Sequence, residues 1–224
     1  MNAHLGFNPR SQANSNALSS FVVADLRRTC PDLARELKSG QLVARLNTDV
    51  YTRVASRNVD LVFHEGSKEV IPHVMIRAAV ENKTIMTAHG KARWNRYGDL
   101  IAYCNHIHNH SRDCIAGAIV IVNCSPAYEN PDKFAKGLVR PRFDMEKIVR
   151  DTAKIFADTP LRNTSEEPND QPEAMAVIVV DYDGQHPAKL VTGEIAPQVG
   201  GSVHYDSFIK RICELYSRRF GKGR

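Results

Sequence analysis

Val74-Met75-Ile76-Arg77-Ala78-Ala79-Val80-Glu81-Asn82-Lys83 is the stretch from which the rest of the chain can be read. An apolar run of strand length and composition leads straight into an acid, a polar residue and a lysine. Residues two apart on a strand share a face. Val74, Ile76, Ala78 and Val80 are therefore expected to line one side, and Glu81 and Lys83 to emerge together on the other. Upstream, Val59-Asp60 opens a second short run, Asp60-Leu61-Val62-Phe63-His64, also of strand character. An acid on one strand and acid-x-lysine on its neighbour could place a carboxylate oxygen on a metal ion and an ammonium beside the water it polarises. That is the minimum equipment for metal-assisted phosphodiester cleavage.

Working outward, Glu65-Gly66-Ser67-Lys68 joins the two runs, with Gly66 as the bend of a hairpin. Residues 16–46 read as a helical region. Leu18, Phe21, Val22 and Leu26 form a first helix, and Thr29-Cys30-Pro31 interrupts it. Pro31 opens a second helix carrying Leu33, Leu37, Leu42 and Leu46, with Gly40 as its weak point. Downstream, Thr87 to Asn95 reads as a basic loop, followed by a helix from about Tyr97 to Asn109. Ile115 to Val122 is apolar on both faces, as a buried central strand is.

A helix is predicted over Met145 to Phe156, and a polar, mobile loop over residues 159–173. Met175 to Val180 is a second fully apolar strand. A closing amphipathic helix runs from Tyr205 to Phe220, with Phe208, Ile212, Leu215 and Tyr216 on its apolar side. The pattern predicts an α/β protein with a mixed central β-sheet flanked by helices. It forms a single domain over 1–224, with a catalytic core at about 47–123 and a strand-and-helix region at 124–224.

Bulk properties narrow the field. The chain has 224 residues, enough for a substantial core, and an ordinary balance of 42% hydrophobic and 25% charged residues. Its net charge of +5 fits a polyanionic partner. Between Asn82 and Gly98 stand Lys83, Lys91, Arg93 and Arg96 with no acid, and a second basic stretch follows from Lys133 to Lys154. The tail from Arg218 to Arg224 is basic as well. Five scattered cysteines without a C-x-x-C pair argue against a disulfide framework or a zinc knuckle, and point to a reducing cytoplasm. No signal-peptide core or membrane-length apolar run is visible in the sequence.

The element order, with Asp60 and Glu81-Asn82-Lys83 on the two early strands, resembles the PD-(D/E)XK nuclease superfamily, and within it a type II restriction endonuclease. The resemblance spans roughly Arg35 to Val122. Val59 stands where many members carry proline. The resemblance implies a restriction-endonuclease-like fold and Mg²⁺-dependent hydrolysis of double-stranded DNA at a short specific site, with Mn²⁺ as a substitute ion. It implies Asp60 and Glu81 as metal ligands, the backbone carbonyl of Asn82 as a further ligand, and Lys83 as the residue that orients or activates the attacking water. Glu36 resembles the extra helix acid that some members place near the metal. A palindromic site would require a homodimer. A less specific repair, phage or mobile-element nuclease of the same fold is a second reading, and a non-catalytic nucleic-acid-binding protein a third.

His89-Gly90-Lys91-Ala92-Arg93-Trp94-Asn95-Arg96-Tyr97 is the segment expected to meet DNA. Lys91, Arg93 and Arg96 suit phosphates and Asn95 a base edge or a helix cap. Trp94 and Tyr97 suit the core equally well. His106 and His110 share a helix face at zinc-like spacing, but no carboxylate or cysteine partner follows, so 106, 108 and 110 are expected to be structural or exposed. A phosphate-binding glycine loop and a G-x-S-x-G nucleophile signature are both absent from the sequence.

Overall fold

The computed structural model describes residues 12–66, 74–87, 89–126, 128 and 144–221. Ser67, Lys68 and the onset of the basic stretch at 133–143 lie outside the described residues, as do the last three positions of the basic tail.

Two helices, α1 (Gln12–Thr29) and α2 (Pro31–Ser39), precede three consecutive strands, β1 (Leu42–Tyr51), β2 (Ser56–Glu65) and β3 (Ile76–Ile85). Helix α3 (His89–His110) crosses to β4 (Ile115–Asn123), and α4 (Met145–Ala157) precedes β5 (Ala174–Asp181). A two-residue strand β6 (Lys189–Leu190) and helix α5 (Tyr205–Phe220) complete the order. The six strands form one sheet in sequence order. β1, β2 and β3 pair antiparallel, β3, β4 and β5 pair parallel, and β6 closes the edge antiparallel. The chain is thus an α/β protein with a mixed open sheet between two helical layers.

Each layer follows from which side chains the strands present. Leu61, Phe63, Ala78, Val80, Ile119 and Ala176 bury one face of the sheet against α1, α2 and α5. On the opposite face α3 packs Tyr103, Cys104 and Ile107 onto Val62, Ala79 and Ala116. There α3 and α4 also cover Ala118, Val120 and Val177 with Leu100, Val149 and Phe156. Both faces being covered explains why β4 and β5 read as unbroken apolar runs. No helix among the described residues is long and apolar enough to cross a membrane.

Several boundaries differ from expectation. Leu42 and Leu46 lie on β1, not on the second helix. Gly40, in the left-handed region at φ 74°, caps α2 through its N–H to the Leu37 carbonyl and stops it there. Positions four apart share a face in a helix and in a strand alike, so Leu33, Leu37, Leu42 and Leu46 still reach one core. Gly66 does mark the bend after β2. Its N–H donates to the Gln41 carbonyl at 2.6 Å, and a Cβ there would overlap the carbonyl oxygen of Gly40.

The basic segment after β3 is the first half of α3, not a loop. Lys91, Trp94 and Asn95 are exposed, Arg93 turns toward α4, and Ala92 and Tyr97 pack inward, so no apolar run announces it. Segment 159–173 has no helix or strand, yet it is tied down where its composition had suggested a mobile loop. Arg162, fully buried, donates to the carbonyls of Arg112, Ser165 and Glu167 and to Glu173.

Candidate active site at the β2–β3 edge

On this side the paired register of β2 and β3 ends with Leu61 opposite Val80. One step beyond it stand Asp60 and Glu81, on adjacent strands. Asp60 Oδ2 accepts the backbone N–H of Asn82 at 2.8 Å, and Oδ1 accepts the Ser15 hydroxyl of α1 at 2.6 Å. The Asn82 side chain turns to the α1 side, donating to the hydroxyls of Ser15 and Ser19, each at 3.0 Å. Three elements are thereby locked around one carboxylate. In an antiparallel pairing, the N–H and C=O of a residue point to the same neighbouring strand. The Asn82 carbonyl is accordingly directed to the Asp60 side.

Glu81 and Lys83 share the other face, as alternation requires. They sit beside Ala118 and Val120 of β4, whose side chains belong to the α3–α4 layer. Glu81 is 2% exposed. Its Oε1 accepts from the Lys83 ammonium and, at 3.3 Å, from Arg57 Nη2, while Oε2 is buried with no hydrogen-bond partner. Burial pushes the Glu81 carboxyl up from its ordinary value. The ammonium of Lys83 pulls it down, and the negative charge of Asp60 adds to the rise.

Asp60, Glu81 and Lys83 are therefore brought to one sheet edge, with Lys83 bonded to Glu81 and Asp60 to the Asn82 amide. Glu36 is not. Its carboxylate Oε2 accepts from Arg77 Nη1 and from the Tyr216 hydroxyl, each at 2.6 Å, in a buried knot of α2, β3 and α5. Arg77 lies four residues before Glu81, roughly 13 Å along the strand. Glu36 ties helices to the sheet there and takes no place beside Asp60. The acid was visible on its helix, but only the packing of α5 shows what it meets.

The expected DNA contacts are divided. Lys91 and Asn95, one helical turn apart on α3, are exposed. Trp94 beside them is 57% exposed and edge-on to Tyr97, with ring centroids 6.3 Å apart. Arg96 donates to the Thr84 carbonyl at 3.3 Å, next to Lys83, and to Asp99 at 2.7 Å. Arg93 leans toward Asp151 of α4, 3.9 Å away. The histidines are structural: His106 meets the Val50 carbonyl, His108 is buried against Glu173, and His110 meets the Ser111 hydroxyl.

Arg57 and Ser15 belong to the site and no sequence signal marked them. Each is a common residue type without a motif, joined to Glu81 or Asp60 only by folding.

Chemically, the β2–β3 edge offers a carboxylate on each of two adjacent strands, Asp60 bonded to α1 and Glu81 on the α3–α4 side, with the Lys83 ammonium on Glu81. No group of three or more His, Cys, Asp or Glu side chains able to cage a metal occurs among the described residues. Two carboxylates suit a hard ion that keeps several of its waters, as Mg²⁺ does. The orphaned Glu81 Oε2 is an acceptor in want of a cation or a proton, so the residues present fit such an ion. Comparison of the chain with protein-family profiles, with curated proteins and with solved structures finds no match.

Proposed function

We propose that this chain is a metal-dependent endonuclease of the PD-(D/E)XK type that hydrolyses phosphodiester bonds of double-stranded DNA at a short specific sequence, as a restriction enzyme does. The observation that carries this reading is the Glu81 carboxylate, buried with one oxygen unpartnered, between Asp60 on the neighbouring strand and Lys83 two residues on. The element order supports it as well: a helix, three antiparallel strands, a helix, and a strand parallel to the third. Asp60, Glu81 and the Asn82 carbonyl would hold Mg²⁺, or Mn²⁺ in its place. The ion, when bound, polarises a water and offsets charge on the phosphate.

This chain's own residues do the rest. Ser15 and the Asn82 amide orient Asp60. With a cation held by Glu81, Lys83 would be released and its ammonium available to position the attacking water or a phosphate oxygen. In this reading the exposed Lys91 and Asn95, and Arg96 next to Lys83, would meet the duplex. Here Lys91 and Arg96 neutralise phosphates and Asn95 is available to a base edge. Recognition of a palindrome would employ two copies of the chain.

The test is a digest of long duplex DNA with Mg²⁺ or with EDTA, comparing the wild type with Asp60→Ala and Lys83→Ala. Discrete fragments that need Mg²⁺, Asp60 and Lys83 are the expected result. A smear with the same requirements would keep the site but replace the restriction reading with a nuclease of low specificity. Intact DNA in every lane, with single-stranded and branched substrates included, would overturn the proposal in favour of a non-catalytic binder.

A further inference from the structure

Arg57 lies on β2 three residues before Asp60. Its guanidinium spans from strand to helix, with Nη2 donating to Glu81 Oε1 at 3.3 Å and to the Asp99 carbonyl of α3 at 3.2 Å. The group also sits over the ring of Tyr103, 5.8 Å from its centroid. Its side chain is 25% exposed and that of Lys83 19%, so both cations reach the same partly open edge. Yet Arg57 Nε is buried without an acceptor, just as Glu81 Oε2 is buried without a donor. One missing acceptor and one missing donor, on two side chains that already meet at 3.3 Å, describe a ligand with both signs of charge. A cation carrying a phosphate oxygen is such a ligand.

Charge counting points the same way. Asp60 and Glu81 against Lys83 and Arg57 sum to zero. A divalent ion added there leaves an excess of two positive charges, facing a phosphodiester that starts with one negative charge and approaches two as water attacks. An ion held there would weaken the hold of Glu81 on both cations. Lys83 is a point charge on a flexible stem. Arg57 is a planar fork held by Tyr103 and the Asp99 carbonyl, the geometry that suits phosphate oxygens.

We infer that Arg57 is a further catalytic residue of this site, contacting a non-bridging oxygen of the scissile phosphate when the metal occupies Glu81. The inference rests on the nuclease reading above. Arg57 forms no bond in the reaction. Its guanidinium stays protonated throughout and stabilises the charge that builds on the phosphate.

The test uses the full chain with Arg57→Ala and Arg57→Lys. Mn²⁺ affinity is measured by electron paramagnetic resonance titration, and cleavage by single turnover at saturating metal and DNA. Arg57→Ala is expected to lower the cleavage rate about 100-fold or more, with Mn²⁺ bound as tightly as by the wild type or more so, because a competing cation has left Glu81. Arg57→Lys, which keeps the charge and loses the fork, is expected to lose about tenfold at unchanged Mn²⁺ affinity. Added methylguanidinium is expected to restore part of the rate to Arg57→Ala. Should Arg57→Ala fail to fold, Arg57→Lys carries the comparison.

Rates within threefold of wild type in the folded variants would overturn the inference while leaving the nuclease reading intact. Loss of Mn²⁺ binding in parallel with activity would also overturn it, making Arg57 a support for Glu81 alone. A wild type that binds no Mn²⁺ and cuts no DNA overturns the nuclease reading and this inference with it.

Discussion

Glu173→Ala is expected to be among the most damaging single changes in this protein, and the contacts of the carboxylate give the size of the loss. The group is fully buried. Oε1 accepts from Arg162 at 3.2 Å and Arg219 at 2.9 Å, and Oε2 from the Ala116 backbone N–H at 2.8 Å, with His108 Nε2 at 3.0 Å. The variant leaves the fully buried Arg162 without its counter-ion and strands a backbone donor of β4. Breaking a buried pair by removing one partner costs about 3–5 kcal/mol.

For a chain of this size each kcal/mol moves the melting temperature by about 2–4 °C, so Tm is expected to drop by roughly 6–20 °C. Urea unfolding followed by circular dichroism gives the free energy, and a thermal melt gives Tm. Glu166→Ala is the control. Its pair with Arg112 is 3.2 Å long but 82% and 62% exposed, so its loss is expected to cost under about 0.5 kcal/mol. If Glu173→Ala melts within 2 °C of the wild type, or no lower than Glu166→Ala, the argument from burial is refuted.

Further tests bear on the site and on pH. Glu81→Gln is expected to raise Tm at pH 8 relative to wild type and to abolish Mn²⁺ binding. A carboxyl raised by burial binds its proton more tightly when folded, so its ionisation costs stability as pH rises. Each tenfold gain in proton affinity on folding corresponds to about 1.4 kcal/mol. A lower Tm at pH 8 would contradict this. Ser15→Ala removes the hydroxyl that holds Asp60 Oδ1 and is expected to weaken Mn²⁺ affinity by about tenfold or more; an unchanged titration would show that Asp60 needs no such support.

His64 and His89 are buried, and desolvation holds both below the ordinary histidine value. Their contribution to stability is full above pH 6.5, where both states are neutral, and is lost as pH falls because the unfolded chain takes up protons first. Melts of His64→Gln between pH 7.5 and pH 5 are expected to show a shallower decline than wild type. For DNA binding, Lys91→Ala is expected to lower the slope of log affinity against log salt by about 0.9, one phosphate's worth, and an unchanged slope would remove Lys91 from the interface.

How much was legible depended on the range of the interaction. The Glu81-Asn82-Lys83 ending of β3 was readable because strand alternation is a local property, and Glu81 and Lys83 do share a face, as do Ala78 and Val80. The runs at β4 and β5 announced burial on both sides for the same reason. Val74 and Ile76, expected beside Ala78 and Val80, pack on the α3 side instead, because β3 carries an extra residue at Arg77 opposite the Phe63–His64 step of β2. Leu42 and Leu46 went to the wrong element because a spacing of four satisfies a helix and a strand equally; the left-handed turn at Gly40 decided between them. The first half of α3 was hidden because Lys91, Trp94 and Asn95 face outward and its inward side is carried by His89, Ala92 and Tyr97, which make no apolar run. Segment 159–173 looked unstructured because its chief anchors are two single side chains, Arg162 and Glu173, and no local pattern tells a buried charged residue from a solvated one.

Periodicity over a few residues was enough to set most of the element types, the mixed sheet between helices, and the pairing of an acid with a lysine on one strand face. It took chain packing to bring Arg57 and Ser15 to Glu81 and Asp60, to turn Glu36 toward Arg77 and Tyr216, and to join Arg162 to Glu173 in the core. Each of those contacts links segments distant along the chain, and neither spacing nor composition carries information about a partner that only the folded arrangement brings near.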